Sequence, residues 1–493
     1  MNREKEEKAM TSELLVPESD AGWSLAVRGL LAWIVVVALI GFFAAPFLTP
    51  GQAGDFSSAL VDFYHAIMIP VAALFLILCT FVFRVPAWVR RWVVQAGVVG
   101  AGLDAVGSLV RAYGDVYHSA GFGAGAWIQF PGTLIMVSVA LVFLVGLALT
   151  AVRTPKHSAE SSPLMAWALF ISGVSALIAV ALGGIFAASE VGLSWAGWAH
   201  ALHENTGGFL GNVVTSHSHD MLPAFMAGIV LLAAQAFGYT HLQGLRRRVA
   251  QWGIAILLIG VVLMTLAYVL SSLGTYNIPA LWVSGPQGVN GIAEDDFLTG
   301  LVGWGSLILM VSLWSELRDR ARVAAATVRS RINPVRLAVF LTWICAMVAM
   351  IVYGYYIELH EVVFGGGALP APGAINDQIF TRAHLLYVFL SLPVLAVFLL
   401  AAELTADPVR RRLTGWMAGV SIAGMLVSLV GLGWWTFATP GHAVSWALAS
   451  GGHDVYVLGQ ALMLLAAVMQ LFIGSRAVPP APLRAESAPA SPH

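Results

Sequence analysis

The chain has 493 residues, of which 59% are hydrophobic and only 10% are charged, and its formal net charge at pH 7 is −1. Soluble domains carry about 25% charged residues, so this composition excludes a soluble protein and indicates one that lies largely within a membrane. The near-zero net charge gives no sign of nucleic-acid binding. Cys79 and Cys345 lie inside apolar stretches, which predicts small buried side chains rather than a disulfide or a thiolate metal site.

Twelve apolar runs follow one another along the chain, each near the length of about 20 residues that a helix needs to cross the hydrocarbon core. They cover residues 25–48, 58–83, 89–110, 128–152, 164–188, 217–238, 249–273, 297–316, 336–357, 381–403, 414–436 and 453–475. The pattern predicts an all-α, polytopic membrane bundle of about 12 transmembrane helices within residues 25–476. Residues 1–24 are expected to form a cytoplasmic segment, and the tail 477–493, rich in Pro, Ala and Ser, to be disordered.

Basic residues lie almost entirely on one side of this predicted bundle. They lie in or next to the connections after the even-numbered runs and at the two chain ends, and of the 25 Lys and Arg residues only Arg111 and Arg382 fall on the other side. Cytoplasmic loops of membrane proteins are enriched in Lys and Arg. The asymmetry predicts that both termini are cytoplasmic, in the inner (cytoplasmic) cell membrane, with the other side facing the periplasm or the exterior.

Histidine is concentrated on the opposite, predicted outer side. Ten of the thirteen histidines lie there, namely His65, His118, His200, His203, His217, His219, His360, His384, His442 and His453. Tryptophans on that side are typical of the aromatic belt at a membrane interface, whereas no general property of membrane proteins concentrates histidine. Because histidine binds metals and titrates near neutral pH, the skew predicts metal or haem chemistry, or proton handling, near the outer face.

The stretch 200–228 is the richest in such side chains, with four histidines, a glutamate and an aspartate. His217 and His219 are two residues apart, so on a helix their side chains leave about 200° apart. We expect one to face the bundle interior and contact a haem or metal, and the other to face the outer loops. Asp220 follows at the N-terminal end of the run 217–238, where the helix dipole would keep its carboxylate ionised and able to orient an imidazole.

The same stretch offers ligands for a metal ion. His200 and His203 share one face if the segment is helical, with Glu204 beside them, and His217 or His219 would complete a nitrogen and oxygen site for copper, iron or zinc. The alternative is a hydrogen-bonded polar plug over the bundle. The predicted metal ligands are His200, His203, His217, His219, His360, His442 and His453. The predicted catalytic residues are His217, His219, Asp220 and Glu204.

Four even-numbered runs, 2, 6, 10 and 12, begin at the predicted outer face with a histidine, and runs 2, 6 and 10 also contain a proline further on. This recurrence at every fourth run is what an internally repeated four-helix unit would leave in a sequence. A haem inside a helical bundle needs two imidazoles facing each other from different helices, one on each side of the iron. His65 and His384, near the outer ends of runs 2 and 10, are the predicted pair. A lone histidine on an apolar helix also serves as a structural hydrogen bonder.

Twelve spans with cytoplasmic ends and histidines at the outer ends of runs 2, 6 and 10 resemble the catalytic subunit I of the haem-copper oxidase superfamily, which includes the nitric oxide reductases. The resemblance implies that His65 and His384 hold a low-spin haem, for which the b type is expected. It implies that His217 or His219 binds a second metal, non-haem iron or copper. It also implies an electron donor, which would be a cytochrome c, a copper-protein subunit or a quinone.

The chain departs from that family at the second metal. Where the family has two histidines in run 10, the sequence Arg382-Ala383-His384-Leu385-Leu386 has one, and the connection 271–297 contains none. The standard three-histidine copper site therefore cannot be assembled from these residues. A second, local resemblance is that of His217-Ser218-His219-Asp220-Met221 to the H-x-H-E-M motif of NnrS-type membrane proteins, which bind haem and copper and respond to nitric oxide.

The sequence therefore predicts an integral membrane haem protein of a respiratory or nitric-oxide-related redox system. Its expected activity is electron transfer, or reduction of O2 or NO as a haem-dependent oxidoreductase, near the outer face. Two alternatives remain open at this stage. The first is a 12-helix secondary transporter, which the span count also suits, and the second is a non-catalytic accessory subunit.

Overall fold

A computed structural model describes residues 20–44, 53–117, 121–154, 162–190, 192, 194–201, 206–272, 291–314, 332–358, 384–405, 411–438 and 446–473. These residues form thirteen α-helices, a 3₁₀ turn at Tyr239–His241 and a π-helix at His384–Ser391. The α-helices are α1 (Asp20–Ala44), α2 (Ala53–Val82), α3 (Ala87–Tyr117), α4 (Gly121–Arg153), α5 (Pro163–Glu190), α6 (Ala196–Ala201), α7 (Thr206–Ala236), α8 (Gly244–Ser272), α9 (Gly291–Ser312), α10 (Pro334–Glu358), α11 (Leu392–Thr405), α12 (Arg411–Phe437) and α13 (Trp446–Ile473).

Ten helices within the described ranges are long and apolar enough to cross a membrane. They are α1 to α5, α7, α8, α12, α13 and the continuous π-helix and α11. The other two predicted spans correspond to α9 and α10, whose described apolar stretches, Leu298–Ser312 and Pro334–Met350, are shorter. The all-α class is confirmed and the chain has the architecture of a multi-pass membrane protein, while the count of twelve spans and the sidedness stay predictions. The predicted tail 477–493 lies outside the described residues.

Three helices occupy the centre of the bundle. They are α2, α7 and the π-helix with α11, and these three contact one another. Their spanning windows are 67%, 82% and 67% buried, against 22% to 44% for the other seven candidate spans. These are predicted runs 2, 6 and 10, so the fold buries most deeply three of the four runs that begin near the outer face with a histidine, while the fourth, run 12, forms the outer helix α13. All three start at the same end of the bundle, which we call the histidine end.

The remaining long helices surround these three as a closed ring, because α13 packs against α1. The chain divides into three units of four: α1 to α4; α5 with α7, α8 and α9; and α10 with the π-helix and α11, α12 and α13. In each unit the second helix is central, and the third and fourth form an extensively packed outer pair. The four-run recurrence in the sequence thus corresponds to a threefold repeat of this arrangement.

Glycines allow the close crossing in each outer pair. A Cβ atom added at Gly107 of α3, Gly305 of α9 or Gly431 of α12 would collide with the backbone of the partner helix. Glycines recur seven residues apart, which keeps them on one helix face. They are Gly100 and Gly107, Gly125 and Gly132, Gly253 and Gly260, Gly424 and Gly431, and Gly452 and Gly459. Small residues at helix interfaces let membrane helices approach closely.

The structure places the start of α7 earlier in the chain than the sequence predicted. The helix begins at Thr206, well before the predicted 217, so the segment from His217 to Asp220 lies in its interior. The predicted run began only at His217 and so left out residues 206–216. The fold nevertheless makes those residues helical, and neighbouring helices supply hydrogen-bond partners for Ser216, His217 and Asp220. Asp220 is therefore not at a helix N-terminus, and the proposed dipole effect, which fades within the first turn, does not reach it.

Candidate functional site

A cavity of about 330 Å³ lies between α2, α3, α4, α5 and α7, towards the histidine end of the bundle. This volume is within the range of small-molecule and cofactor sites, about 300–1,000 Å³. Most of the lining is aliphatic or aromatic. The polar exceptions are Asp62, Tyr64, His65, Asp104, Arg111, Gln129, Thr133, Ser172 and His217.

His65 enters the cavity from α2 and His217 from α7. His65 Nδ1 lies 3.0 Å from the carbonyl oxygen of Val61, one turn earlier in the same helix. His217 Nδ1 lies 2.8 Å from the carbonyl oxygen of Ala179 on α5. Because a carbonyl oxygen can only accept, Nδ1 carries the proton in both rings, and in the neutral imidazole the lone pair is on Nε2.

The two imidazoles form a facing pair. Their ring centroids are 6.3 Å apart and their planes differ by only 18°. A metal bonded to the Nε2 atom of each ring, at about 2 Å from each nitrogen, would hold the centroids roughly 6 Å apart. Metal-bound histidines usually donate their other ring N–H to a carbonyl or carboxylate, and here both Nδ1 atoms do so. The centroid separation matches that of two imidazoles on one metal, and the rings themselves are stacked with nearly parallel planes.

The cavity wall beside this pair is made of small residues on α5. Gly173, Ala176, Gly183, Gly184 and Ala187 line it. A Cβ atom at Gly183 would lie 2.6 Å from His217 Nδ1, whereas one at Gly184 would meet nothing within 4 Å. Glycine at 183 is thus needed for the His217 ring to reach the Ala179 carbonyl. A smooth apolar wall next to two axial imidazoles suits a flat macrocycle better than a bare metal ion, which needs more ligands.

A chain of buried polar groups forms another wall. Arg111 Nε lies 3.1 Å from an Asp62 carboxylate oxygen and its Nη1 donates to Gln129 Oε1 at 3.1 Å. Gln129 Nε2 donates to Asp104 at 3.4 Å, and Thr133 Oγ1 donates to the other oxygen of Asp104 at 2.6 Å. The network joins α2, α3 and α4 and connects an ion pair near His65 to a carboxylate deeper in α3.

Sequence reasoning missed this network, although it had singled out Arg111. Asp104 interrupts an apolar run, and Arg111 is one of two basic residues on the wrong side for the positive-inside rule. Charged residues inside membrane helices usually face the bundle interior and pair with one another. That rule could have suggested a pairing, but not which of the many outer carboxylates would be the partner.

Asp220 lies on another face of α7, towards α8. Thr265 Oγ1 donates to its Oδ1 at 2.9 Å, and Ser216, one turn earlier, donates to the carbonyl oxygen of Tyr268 at 3.2 Å. Ser272 donates to Ser216 at 2.8 Å. Asp220 is absent from the cavity lining, so the expectation that it orients an imidazole is not met at His217. Its described role is in the packing of α7 on α8.

The other predicted ligands fall into three groups. His200 and His453 are described and exposed, and His453 packs edge-on against Trp435 with ring centroids 4.8 Å apart. His219 lies in α7 and His384 begins the π-helix, but the structure does not describe their side chains. Five further residues lie wholly outside the described ranges, namely His118, His203, Glu204, His360 and His442. Among the described residues no group of three His, Cys, Asp or Glu side chains could hold a metal ion. The predicted non-haem metal site and the ligand role of His384 stay predictions.

In comparisons with known proteins, no family model, no curated protein and no solved structure matches this chain.

Proposed function

We propose that this chain is an integral membrane haem protein that transfers electrons, and that its haem, of the b type, is held by Nε2 of His65 and Nε2 of His217. The observation that carries the proposal is the facing pair of imidazoles 6.3 Å apart, each fixed through Nδ1 by a main-chain carbonyl. The cavity of about 330 Å³ with its small-residue wall on α5 supports the same assignment.

The protein's own residues would have distinct roles at such a site. The carbonyls of Val61 and Ala179 hold the two rings in the tautomer that leaves Nε2 free to bind iron. The apolar lining keeps bulk water from the site, which helps to set the potential of a bound redox group. A haem would supply a one-electron Fe(III)/Fe(II) couple. Because both imidazoles would be bound to the iron, the site would suit electron transfer rather than binding of O2 or NO.

Reduction of O2 or NO would require a second centre near the histidine end. The position of His219 on the continuous helix α7, about 200° around the axis from His217, suits a second site on another side of that helix. Non-haem iron or copper there is the expectation from the family resemblance. An electron for either centre would come from a cytochrome c, a copper protein or a quinol, on the predicted outer side of the inner membrane.

The central trio of α2, α7 and the π-helix with α11 supports the resemblance to haem-copper oxidase subunit I, because runs 2, 6 and 10, which carry the histidines, all form central helices. The resemblance predicts His65 and His384 as the haem pair. The geometry favours His65 and His217 instead. A π-helix beginning at His384 is consistent with a functional segment there, since π segments are frequent at functional sites.

Spectroscopy of purified protein tests the assignment. We expect a reduced-minus-oxidised spectrum with the bands of a low-spin b haem, lost in His65→Ala and in His217→Ala. His200→Ala replaces an exposed histidine and is the control that should leave the spectrum unchanged. If His384→Ala loses the spectrum and His217→Ala keeps it, His384 rather than His217 is the second ligand. An absence of haem from the wild-type protein would overturn the proposal.

Chemical rescue separates a lost ligand from a damaged fold. In His217→Gly, added imidazole can occupy the vacated space and bind the iron in place of the missing side chain. We expect the low-spin spectrum to return as imidazole is added, with a saturating dependence. If the variant is folded and binds haem but added imidazole does not restore the low-spin spectrum, His217 is not a ligand.

A secondary transporter remains the second candidate function, because Asp104 is a buried carboxylate that faces the same cavity. Membrane carboxylates in such positions often serve proton or ion pathways. The discriminating result is a purified protein without haem bands that catalyses proton-coupled uptake in vesicles, with uptake lost in Asp104→Asn.

A further inference from the structure

We infer that Asp104 is a proton-binding site linked to the redox state of the cavity, taking up one proton when the site gains one electron. The inference rests on the proposed function, because it needs a one-electron centre between His65 and His217. Asp104 is not a ligand of that centre, and its hydrogen bonds in the described part of the chain go to Ser108, Gln129 and Thr133 rather than to either imidazole.

The position of Asp104 makes its charge sensitive to any other charge in the cavity. The residue is only 1% exposed, lies in the interior of α3 and lines the same cavity as both histidines. Interactions between charges are much stronger in a low-dielectric interior than in water. A change of one charge at the imidazole pair would therefore be felt at this carboxylate.

The partners of Asp104 can serve both protonation states. Thr133 donates at 2.6 Å, and Gln129 and Ser108 each donate at 3.4 Å, which stabilises the ionised carboxylate. The two hydroxyl groups can also rotate and accept a hydrogen bond from a protonated carboxyl. The glycine crossing of α3 and α4 holds these groups in place, since a Cβ atom at Gly132 would collide with the backbone of Asp104.

Of the charged groups that line the cavity, Asp104 is the one that we expect to change its protonation when the charge of the redox centre changes. From α2 come Asp62 and the neutral His65, from α3 comes Arg111, and from α7 comes the neutral His217, while α4 and α5 add no charged side chain to the lining. Asp62 and Arg111 pair with each other at 3.1 Å, and the fixed charge of Arg111 also acts on Asp104. Among the described residues no cation lies within ion-pair distance of Asp104.

The charge balance then gives the sign of the effect. A bound haem would carry one more positive charge when oxidised, and that charge would offset the Asp104 carboxylate. After a one-electron reductant such as dithionite has removed it, the Asp104 carboxylate would take up one proton from water, so that one electron and one proton are gained together. Since reduction binds a proton, the midpoint potential must fall as pH rises.

Potentiometric titration from about pH 5.5 to 9, with dithionite as reductant and soluble mediators, tests this inference. For a one-electron couple linked to one proton the limiting slope is about −59 mV per pH unit. We expect the wild type to approach that slope within part of this range, and Asp104→Asn to show at most half of its maximal slope. Asp454→Asn, in which the replaced carboxylate is exposed, is the matched control and should titrate like the wild type.

Redox-difference infrared spectroscopy gives a readout that a purely structural role would not produce. Reduction should generate the C=O stretch of a protonated carboxyl, which should be absent in Asp104→Asn and shifted in Asp104→Glu. Thr133→Val removes the closest donor to the carboxylate, so its titration window should move to higher pH by about one unit. This variant decides the question if Asp104→Asn does not fold.

The outcomes separate this inference from the proposed function. A full wild-type slope in Asp104→Asn with an intact haem spectrum would overturn the role of Asp104 and leave the haem assignment standing. A wild-type potential that does not vary with pH would do the same. A wild-type protein without haem would overturn both.

Discussion

The imidazole rings of His65 and His217 face each other at 6.3 Å, although they come from helices in different four-helix units of the chain. The arrangement depends on a third helix, because the carbonyl of Ala179 on α5 fixes the His217 ring at 2.8 Å. Gly183, one turn further along α5, leaves the space that the ring occupies. The site is thus assembled from three helices, each contributing one feature.

Gly183→Ala should disturb the site although it leaves both histidines unchanged. The added methyl group would lie 2.6 Å from His217 Nδ1, so the ring must move and its bond to Ala179 must lengthen. We expect at least a severalfold loss of haem content, measured by absorbance per polypeptide. Gly184→Ala is the control, because its methyl group meets nothing within 4 Å. Equal haem content in the two variants would show that the ring position does not matter.

Gly305→Ala should destabilise the bundle by forcing α9 away from α8. The added methyl group would collide with the backbone at Leu257 and lie 2.7 Å from the Gly253 carbonyl oxygen. Overpacking typically costs about 1–3 kcal/mol, and here backbone atoms must shift. We expect a lower midpoint of thermal unfolding in detergent, followed by intrinsic fluorescence. Gly300→Ala in the same helix has open space around it and should not lower the midpoint.

Asp62→Ala should be strongly destabilising, because it removes a carboxylate partner of Arg111 in a buried ion pair whose side chains are 7% and 11% exposed. Breaking a buried pair by deleting one member costs about 3–5 kcal/mol. Replacing both, as Asp62→Asn with Arg111→Met, removes the uncompensated charge and should cost less than Asp62→Ala alone. Thermal unfolding in detergent measures both. A double variant less stable than Asp62→Ala would argue against charge compensation at this site.

The predicted topology can be tested by labelling introduced cysteines in intact cells. A membrane-impermeant reagent should label a cysteine introduced near Gly367 and should not label one near Ala325, because the connection carrying Ala325 is rich in arginine. The native Cys79 and Cys345 are buried, so their background labelling should be low. The opposite labelling pattern would reverse the orientation and place the histidine end in the cytoplasm.

The class of the fold was predictable from the sequence because hydropathy is a local property. Each long apolar run specifies a membrane helix by itself, whatever its neighbours are, and the ten candidate spans coincide with predicted runs. The recurrence of histidines in runs 2, 6 and 10 also indicated the helices that the fold places at the centre. The seven-residue spacing of glycines in five outer helices was a further local signal of the repeat, and sequence reasoning did not use it.

The pairing within the site was decided only by the tertiary structure. His65 was predicted to be a ligand from its position in run 2, but its neighbour depends on how α2, α5 and α7 pack, which no local pattern specifies. The same is true of Asp62, Arg111 and Asp104, whose partners come from different helices. Hydropathy also did not predict that α7 starts at Thr206. The polar residues of this helix obtain hydrogen-bond partners from adjacent helices, which hydropathy does not take into account. Composition and spacing thus determined which segments enter the membrane, whereas contacts between distant segments determined which side chains meet.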